Sequence, residues 1–199
     1  LVVRLVRDAR RPRRRAALRG VMAAPRTGVH PDGRPGGLLA AFDATLPFEL
    51  TAGQREVGAQ LEADLAADHP MNRLLQGEVG SGKTLVALRA MLQVVDAGGQ
   101  AALLAPTEVL AQQHARTITA LLGPLGEAGM LGGAAEGTRV ALLTGSLGAA
   151  ARKKALLQAA SGEAGVVVGT HALLGDQVQF ADLGLVVVDE QHRFGVEQR

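Results

Sequence analysis

The stretch GEVGSGKT at residues 77–84 constrains this chain more than any other feature. It satisfies G-x-x-x-x-G-K-[ST] at every fixed position: Gly77, Gly82, Lys83 and Thr84 are in place, with Glu78, Val79, Gly80 and Ser81 between them. Such a loop works only between a strand and a helix. Backbone N–H groups must converge on phosphate oxygens without Cβ atoms in the way, and a helix must aim its positive end at the same point. The flanks supply both. Apolar NRLLQ (72–76) precedes the loop, and KTLVALRAMLQVVDA (83–97) follows with Leu85, Leu88, Met91, Leu92 and Val95 at helical spacing. Lys83 offers a point charge to the β- and γ-phosphates of ATP, and Thr84 offers a hydroxyl ligand to Mg²⁺. A glycine-rich turn capping an ordinary helix is the plainer reading, but it leaves the Lys-Thr pair without a purpose.

The rest of the chain repeats the strand-helix alternation. Counting NRLLQ (72–76), short apolar runs recur at AALLA (101–105), RVALLT (139–144), VVVG (166–169) and LVVVD (185–189), each apolar enough to be buried on both faces. Between them lie the helical stretches EVLAQQHARTITALL and AAARKKALLQAA. This order predicts right-handed βαβ units in an α/β, doubly wound parallel sheet. The core must be aliphatic, because aromatic residues make up only 2% of the chain, which also argues against stacking of bases on aromatic platforms. The absence of cysteine excludes disulfides and thiolate metal sites and suits a cytoplasmic setting. No apolar run is long enough to span a bilayer, and LVVRLV is too short for a signal peptide. The GPLGEAGMLGGAAEG segment (123–137) reads as a mobile surface loop.

Charge is unevenly spread. Ten of the 21 basic residues are arginines within the first 35 positions, opposed there only by Asp8 and Asp32, which leaves the remainder acidic. RDARRPRRRAALRG predicts a basic helical segment that suits a phosphate backbone, or else a solvated tail. PRTGVHPDGRPGG (25–37) reads as a linker. A boundary near residue 37 follows, separating a basic segment at 1–36 from an α/β domain at 37–199. Because the sequence opens on Leu1, it is read as a fragment open at both ends.

The valine run before Asp189 delivers two carboxylates to a strand end. A nucleotide-bound Mg²⁺ needs a carboxylate from a neighbouring strand, the place Asp189 takes, and Glu190 is the natural water-orienting base. Side chains alternate faces along a strand, so both serve one site only if the strand stops at Asp189 and the backbone turns. His30, His69 and His114 form no metal-ligand pattern with the acids.

At this point the residues carry a resemblance. Asp189, Glu190, Gln191 and His192 spell DEQH, and the chain resembles the superfamily 2, DExH-box helicases, in particular the RecG family of bacterial ATP-dependent DNA helicases. The stretches that carry it are LPFELTAGQREV (46–57), HPMNRLLQGEVGSGKT (69–84), LLAPTEVLAQQH (103–114), LLTGS (142–146), VVVGTHALL (166–174) and VVVDEQHRFGVEQR (186–199). HRFGV is also similar to the transcription-repair coupling factor. Glu78, where the family usually has Asp, and the Gly/Ala-rich 126–137 stretch depart from the pattern.

The resemblance implies a first RecA-like motor domain, truncated after the Walker B strand, with Gln54 reading the adenine edge and His192 coupling hydrolysis to movement. It also implies that Pro106, Thr107 and Glu108, then Thr144 and Gly145, then Thr170 and His171 meet a DNA backbone through hydroxyls and helix-start N–H groups. The implied activity is ATP-driven translocation by a monomer on branched double-stranded DNA such as stalled forks and Holliday junctions, with this fragment alone inactive. Another P-loop ATPase, a coupling-factor-like translocase and a non-catalytic nucleic-acid-binding module are the alternatives. In the P-loop class it resembles, a later strand lies between the strands at 72–76 and 185–189. Those two should therefore stand two positions apart, unpaired with each other, across a slot.

Overall fold

A computed structural model of the chain describes residues 2–5, 37–67, 71–78, 80–127 and 137–189, the first of these as backbone. Six strands form one sheet: β1 (Val2–Leu5), β2 (Asn72–Leu74), β3 (Gln100–Leu104), β4 (Val140–Leu143), β5 (Val166–Gly169) and β6 (Leu183–Val188). Five helices accompany them: α1 (Leu38–Thr45), α2 (Ala52–Ala66), α3 (Lys83–Asp96), α4 (Glu108–Leu122) and α5 (Ala149–Ser161). The sheet order is β2-β1-β6-β3-β5-β4. The block β6-β3-β5-β4 is parallel throughout, as the doubly apolar runs predict.

Alternation along the strands divides the core. Ala101, Leu103, Val166, Val168, Leu185 and Val187 face the layer that holds Phe42 of α1, Leu65 of α2, Leu88, Met91 and Leu92 of α3, and Ile118 and Leu122 of α4. Ala102, Leu104, Ala141, Leu143 and Val167 face the opposite layer with Ala155 and Ala159 of α5. The sheet is therefore wound on both sides. At the start of α1 the Leu38 and Leu39 N–H groups donate to the Asp96 carboxylate at 2.7 and 3.0 Å. The α/β core thus ties its first helix to the end of α3.

Four expectations need correction. The strand within NRLLQ, expected to be buried on both faces, is exposed at Asn72, Arg73 and Leu74 because it is the outermost strand of the sheet. Val2–Leu5 is a strand, not part of a basic helix, and the arginine-rich stretch that follows lies outside the described residues. The strands at 72–74 and 183–188 are indeed two positions apart, but the slot between them is filled: β1 pairs antiparallel with both. The physical reason is that two strands with facing open edges leave N–H and C=O groups needing partners, and a β-branched run can supply them. The 123–137 segment is not loop from its start. It begins as a 3₁₀ turn (Gly123–Gly126) with Leu125 buried, and an antiparallel backbone β-bridge pairs Glu127 with Arg139, whereas 128–136 lie outside the described residues.

Candidate nucleotide and nucleic-acid site

One row of residues across the sheet aligns the whole site. Leu74 and Val188 both stand opposite Val2, Val188 is level with Leu104, Leu104 with Gly169, and Gly169 with Leu143. Every motif singled out in the sequence from Gly77 onward starts just past this row: Gly77–Thr84, Asp189, Pro106–Glu108, Thr170–His171 and Thr144–Gly145. The carboxyl ends of β2, β3, β4, β5 and β6 therefore share one edge, the usual ligand edge of an open α/β sheet.

The loop itself is wound for phosphate. Gly80 and Gly82 take φ of 85° and 81°, a left-handed region that a Cβ disfavours, and Gly82 caps α3 with no side chain in the way. The Lys83 ammonium lies back over the loop and donates to the carbonyls of Gly77 at 2.8 Å and Glu78 at 2.7 Å. A phosphate would take over these bonds. Val79 lies outside the described residues.

Gln54 is already attached to the loop. Thr51 and Gln54 form a reciprocal capping box at the start of α2, with Gln54 Oε1 accepting from the Thr51 N–H at 3.0 Å. The Gln54 amide also donates to the Ser81 carbonyl at 3.0 Å, and a Cβ on Gly82 would collide with it. Beside the box lies an open cavity of about 500 Å³ lined by Asp43, Leu46, Pro47, Phe48, Leu50 and Arg55 among others. Phe48 is half-exposed there, an aromatic face that the sequence reading passed over.

At the far strand, β6 stops at Val188 and Asp189 sits in a bend, as two carboxylates serving one site require. The Asp189 N–H donates to the Leu104 carbonyl at 2.8 Å. Its Oδ2 is 2.7 Å from Nε2 of His114, both side chains being largely buried. His114 thus pairs with an acid, a contact that the spacing of the histidines did not predict. The available signal is its place on the inward stripe of α4, with Ala111 and Ile118 at i−3 and i+4, both buried. Glu190 and His192 lie outside the described residues.

Among the described residues no three His, Asp or Glu side chains gather to hold a metal. One strand-end carboxylate and the Thr84 hydroxyl form a sparse donor set. It fits Mg²⁺, which keeps most of its waters and takes its remaining ligands from phosphates.

The loops after β3 and β4 are joined through Glu108. Its carboxylate accepts from the Ser146 N–H at 2.9 Å and from the Ser146 hydroxyl. The hydroxyl bond chiefly, then the Ser146 and Gly145 N–H groups and the charge of His171, hold the Glu108 carboxyl below the usual range. Ser146 was missed as a site residue, although it completes LLTGS. The expectation that threonine hydroxyls face a DNA strand needs correction. Thr144 is buried and its Oγ1 finds no hydrogen-bond partner among the described residues, while the Thr170 Oγ1 is buried and accepts from the Ala172 N–H. The Thr107 hydroxyl caps α4 at the Leu110 N–H, 3.3 Å away, and remains exposed with Gly145 and His171; Pro106 is half-buried beside it.

The family description "DEAD/DEAH box helicase" matches residues 51–199. The chain is 66% identical over 163 residues to the ATP-dependent DNA helicase RecG of Mycobacterium bovis, covering 82% of this chain and 22% of that protein. It is 48% identical over 161 residues to RecG of Streptococcus pneumoniae, covering 81% and 22%. A solved structure of RecG bound to a three-way DNA junction superposes with a TM-score of 0.68 at 40% identity, covering 79% of this chain and 20% of that one. The chain therefore spans about a fifth of the length of these relatives. A family match from Thr51 to Arg199, carried on an α/β sheet whose motif loops share one edge, places this chain in the DEAD/DEAH box helicase family.

Proposed function

We propose that this domain binds and hydrolyses Mg-ATP and that the complete protein uses the hydrolysis to move along branched double-stranded DNA. The single observation that carries the first half is the shared edge, on which the phosphate loop and Asp189 emerge from strands two positions, roughly 10 Å, apart. Lys83 leaves the Gly77 and Glu78 carbonyls to meet the β- and γ-phosphates, and the N–H groups opening α3 receive the remaining oxygens. Thr84 and Asp189 would hold Mg²⁺, which would neutralise charge building on the transferred phosphoryl group. Glu190, next in the chain, orients the attacking water, and His192 passes the change to the DNA side. Gln54 gives up its bond to Ser81 to read the adenine edge.

The DNA half of the proposal rests on the junction-bound relative and on the linked loops. Backbone N–H groups of Gly145 and Ser146, the Thr107 hydroxyl and His171 suit contact with a sugar-phosphate backbone, which positions the strand without reading its sequence. The test is ATP turnover of the complete protein with forked and with linear duplexes. Turnover should rise more on forks, vanish with Lys83→Ala, and stop in Glu190→Gln while nucleotide still binds. Equal stimulation by both duplexes would remove the branched-DNA part, and normal turnover by Glu190→Gln would remove Glu190 as the base.

A further inference from the structure

α4 carries a contact at each end of its first two turns. Glu108, its first residue, bonds Ser146 in the loop after β4, 38 residues away in sequence. His114, on the same helix, meets Asp189 at 2.7 Å across 75 residues. Six residues of helix span only about 9 Å, and a hydrogen-bonded helix segment of that length moves as one piece. We propose that His114 is the positioning residue for Asp189, and that α4 joins the nucleic-acid loops to the Mg²⁺ carboxylate through Glu108 at one end and His114 at the other.

The chemistry is that of a carboxylate held for a metal. An ionised carboxylate only accepts hydrogen bonds, so His114 Nε2 carries the proton of the pair. A bond to Oδ2 limits rotation of the carboxylate and directs its remaining lone pairs. Partners of this kind behind a metal ligand typically contribute 10–100-fold to metal affinity. The largely buried setting, with 14% and 16% of the two side chains exposed, keeps water from substituting for the imidazole. The Asp189 N–H also fixes the backbone of the same residue to β3 through Leu104, and the imidazole contact restrains its side chain.

The link to DNA follows from where α4 begins. A strand settling on Gly145, Ser146 or Thr107 pushes on the first turn of α4, and His114 of the same helix bonds the β6 end. A shift of a few tenths of an ångström there re-aims the carboxylate.

This inference rests on reading Asp189 as the metal-facing acid, and the experiment separates the two. Binding of a fluorescent ADP to the complete protein is titrated with Mg²⁺ for wild type, His114→Ala and His114→Gln, with and without a forked duplex. Gln places an amide N–H near the position of Nε2. In His114→Ala the half-saturating Mg²⁺ should rise about tenfold or more, His114→Gln should stay near wild type, and Mg²⁺-free nucleotide affinity should be equal in all three. The fork should shift the Mg²⁺ midpoint of wild type and of His114→Gln but not of His114→Ala. If wild type shows no Mg²⁺ dependence, the reading of Asp189 falls and the proposal with it. If wild type does but His114→Ala matches it, or if His114→Ala loses Mg²⁺-free affinity as well, the positioning role is overturned. If the fork still shifts His114→Ala by the wild-type amount, the coupling through α4 is overturned.

Discussion

Arg89 grips Asp43 through two parallel hydrogen bonds, Nε to Oδ1 and Nη2 to Oδ2, each 2.8 Å. The fork fastens α3 to α1, and the Arg89 guanidinium fills the space beside Gly58 of α2, so one side chain meets three helices. Bonding to Asp43 is the main influence that raises the Arg89 pKa, so the group stays charged at any working pH. The pair is unequal: 9% of the Arg89 side chain is exposed against 35% of Asp43.

That inequality predicts an order of cost. Asp43→Ala strands a buried guanidinium and should cost roughly 2–4 kcal/mol, discounted from a fully buried pair because Asp43 is partly solvated. Arg89→Met keeps the packing stem and leaves a carboxylate that water can reach, so about 1–2 kcal/mol should be lost. Urea unfolding of the two variants decides it, and a larger loss in Arg89→Met would contradict the account.

Gln100 opens β3 and is buried with both ends of its amide in use. Its Nε2 donates to the carbonyls of Ala159 at 2.9 Å and Ala164 at 2.8 Å, and its Oε1 accepts from the Asp182 N–H at 3.0 Å. These bonds tie β3 to the end of α5 and to the entry of β6. Gln100→Leu fills similar volume but leaves those backbone groups with one partner fewer, so about 2–4 kcal/mol should be lost. Mg-nucleotide affinity should hardly change, since the amide lies at the opposite end of the strand from the site. Thermal unfolding together with nucleotide binding checks both halves.

The sheet was legible because parallel strands buried on both faces must read as unbroken apolar runs, and VVVG and AALLA do. The site edge was legible for a related reason: motif residues followed those runs directly. The tethers were not. Gln54 to Ser81, Glu108 to Ser146 and His114 to Asp189 join residues 27 to 75 positions apart, and no local pattern encodes such a partner. The inward stripe of α4 marks His114 as facing the core but not what it faces. Threonine hydroxyls were misjudged because sequence shows a donor without showing its direction. At Thr144 and Thr170 the chain turns those hydroxyls inward. β1 escaped for a different reason, since four residues beside an arginine cluster read as its continuation, whereas two open strand edges claimed them.

Glu108 gives a pH prediction. Its pKa is lower in the folded protein than in the unfolded chain, so its bonds to Ser146 stabilise the fold above the unfolded value and are lost as pH falls through the folded one. Wild type should therefore be more stable than Glu108→Gln at neutral pH, and the gap should close below about pH 4. Ser146→Ala should shrink the same gap, because the hydroxyl is the main cause of the shift. Unfolding curves collected from pH 7 to pH 3 test this, and a gap that widens toward acid would show that the Glu108 charge works against the fold.

Gln54 separates two jobs that one amide performs. Its Oε1 caps α2 by accepting from the Thr51 N–H, while its Nε2 reaches the phosphate loop at Ser81. Gln54→Glu keeps an acceptor for the cap but has no donor for the loop, and it adds negative charge near the phosphates. Gln54→Ala loses both contacts. Stability should accordingly fall by about 0.5–2 kcal/mol in Gln54→Ala and much less in Gln54→Glu, because only the first breaks the capping box. Affinity for ATP should fall in both, and further in Gln54→Glu, where a carboxylate faces the loop that must receive an anion. The preference for ATP over GTP should shrink in both as well, since neither side chain can donate and accept at an adenine edge together. Chemical unfolding of the variants and competition between the two nucleotides measure these effects separately. If Gln54→Glu binds ATP as tightly as wild type, Gln54 has no part in nucleotide recognition and is a helix cap that happens to touch the loop.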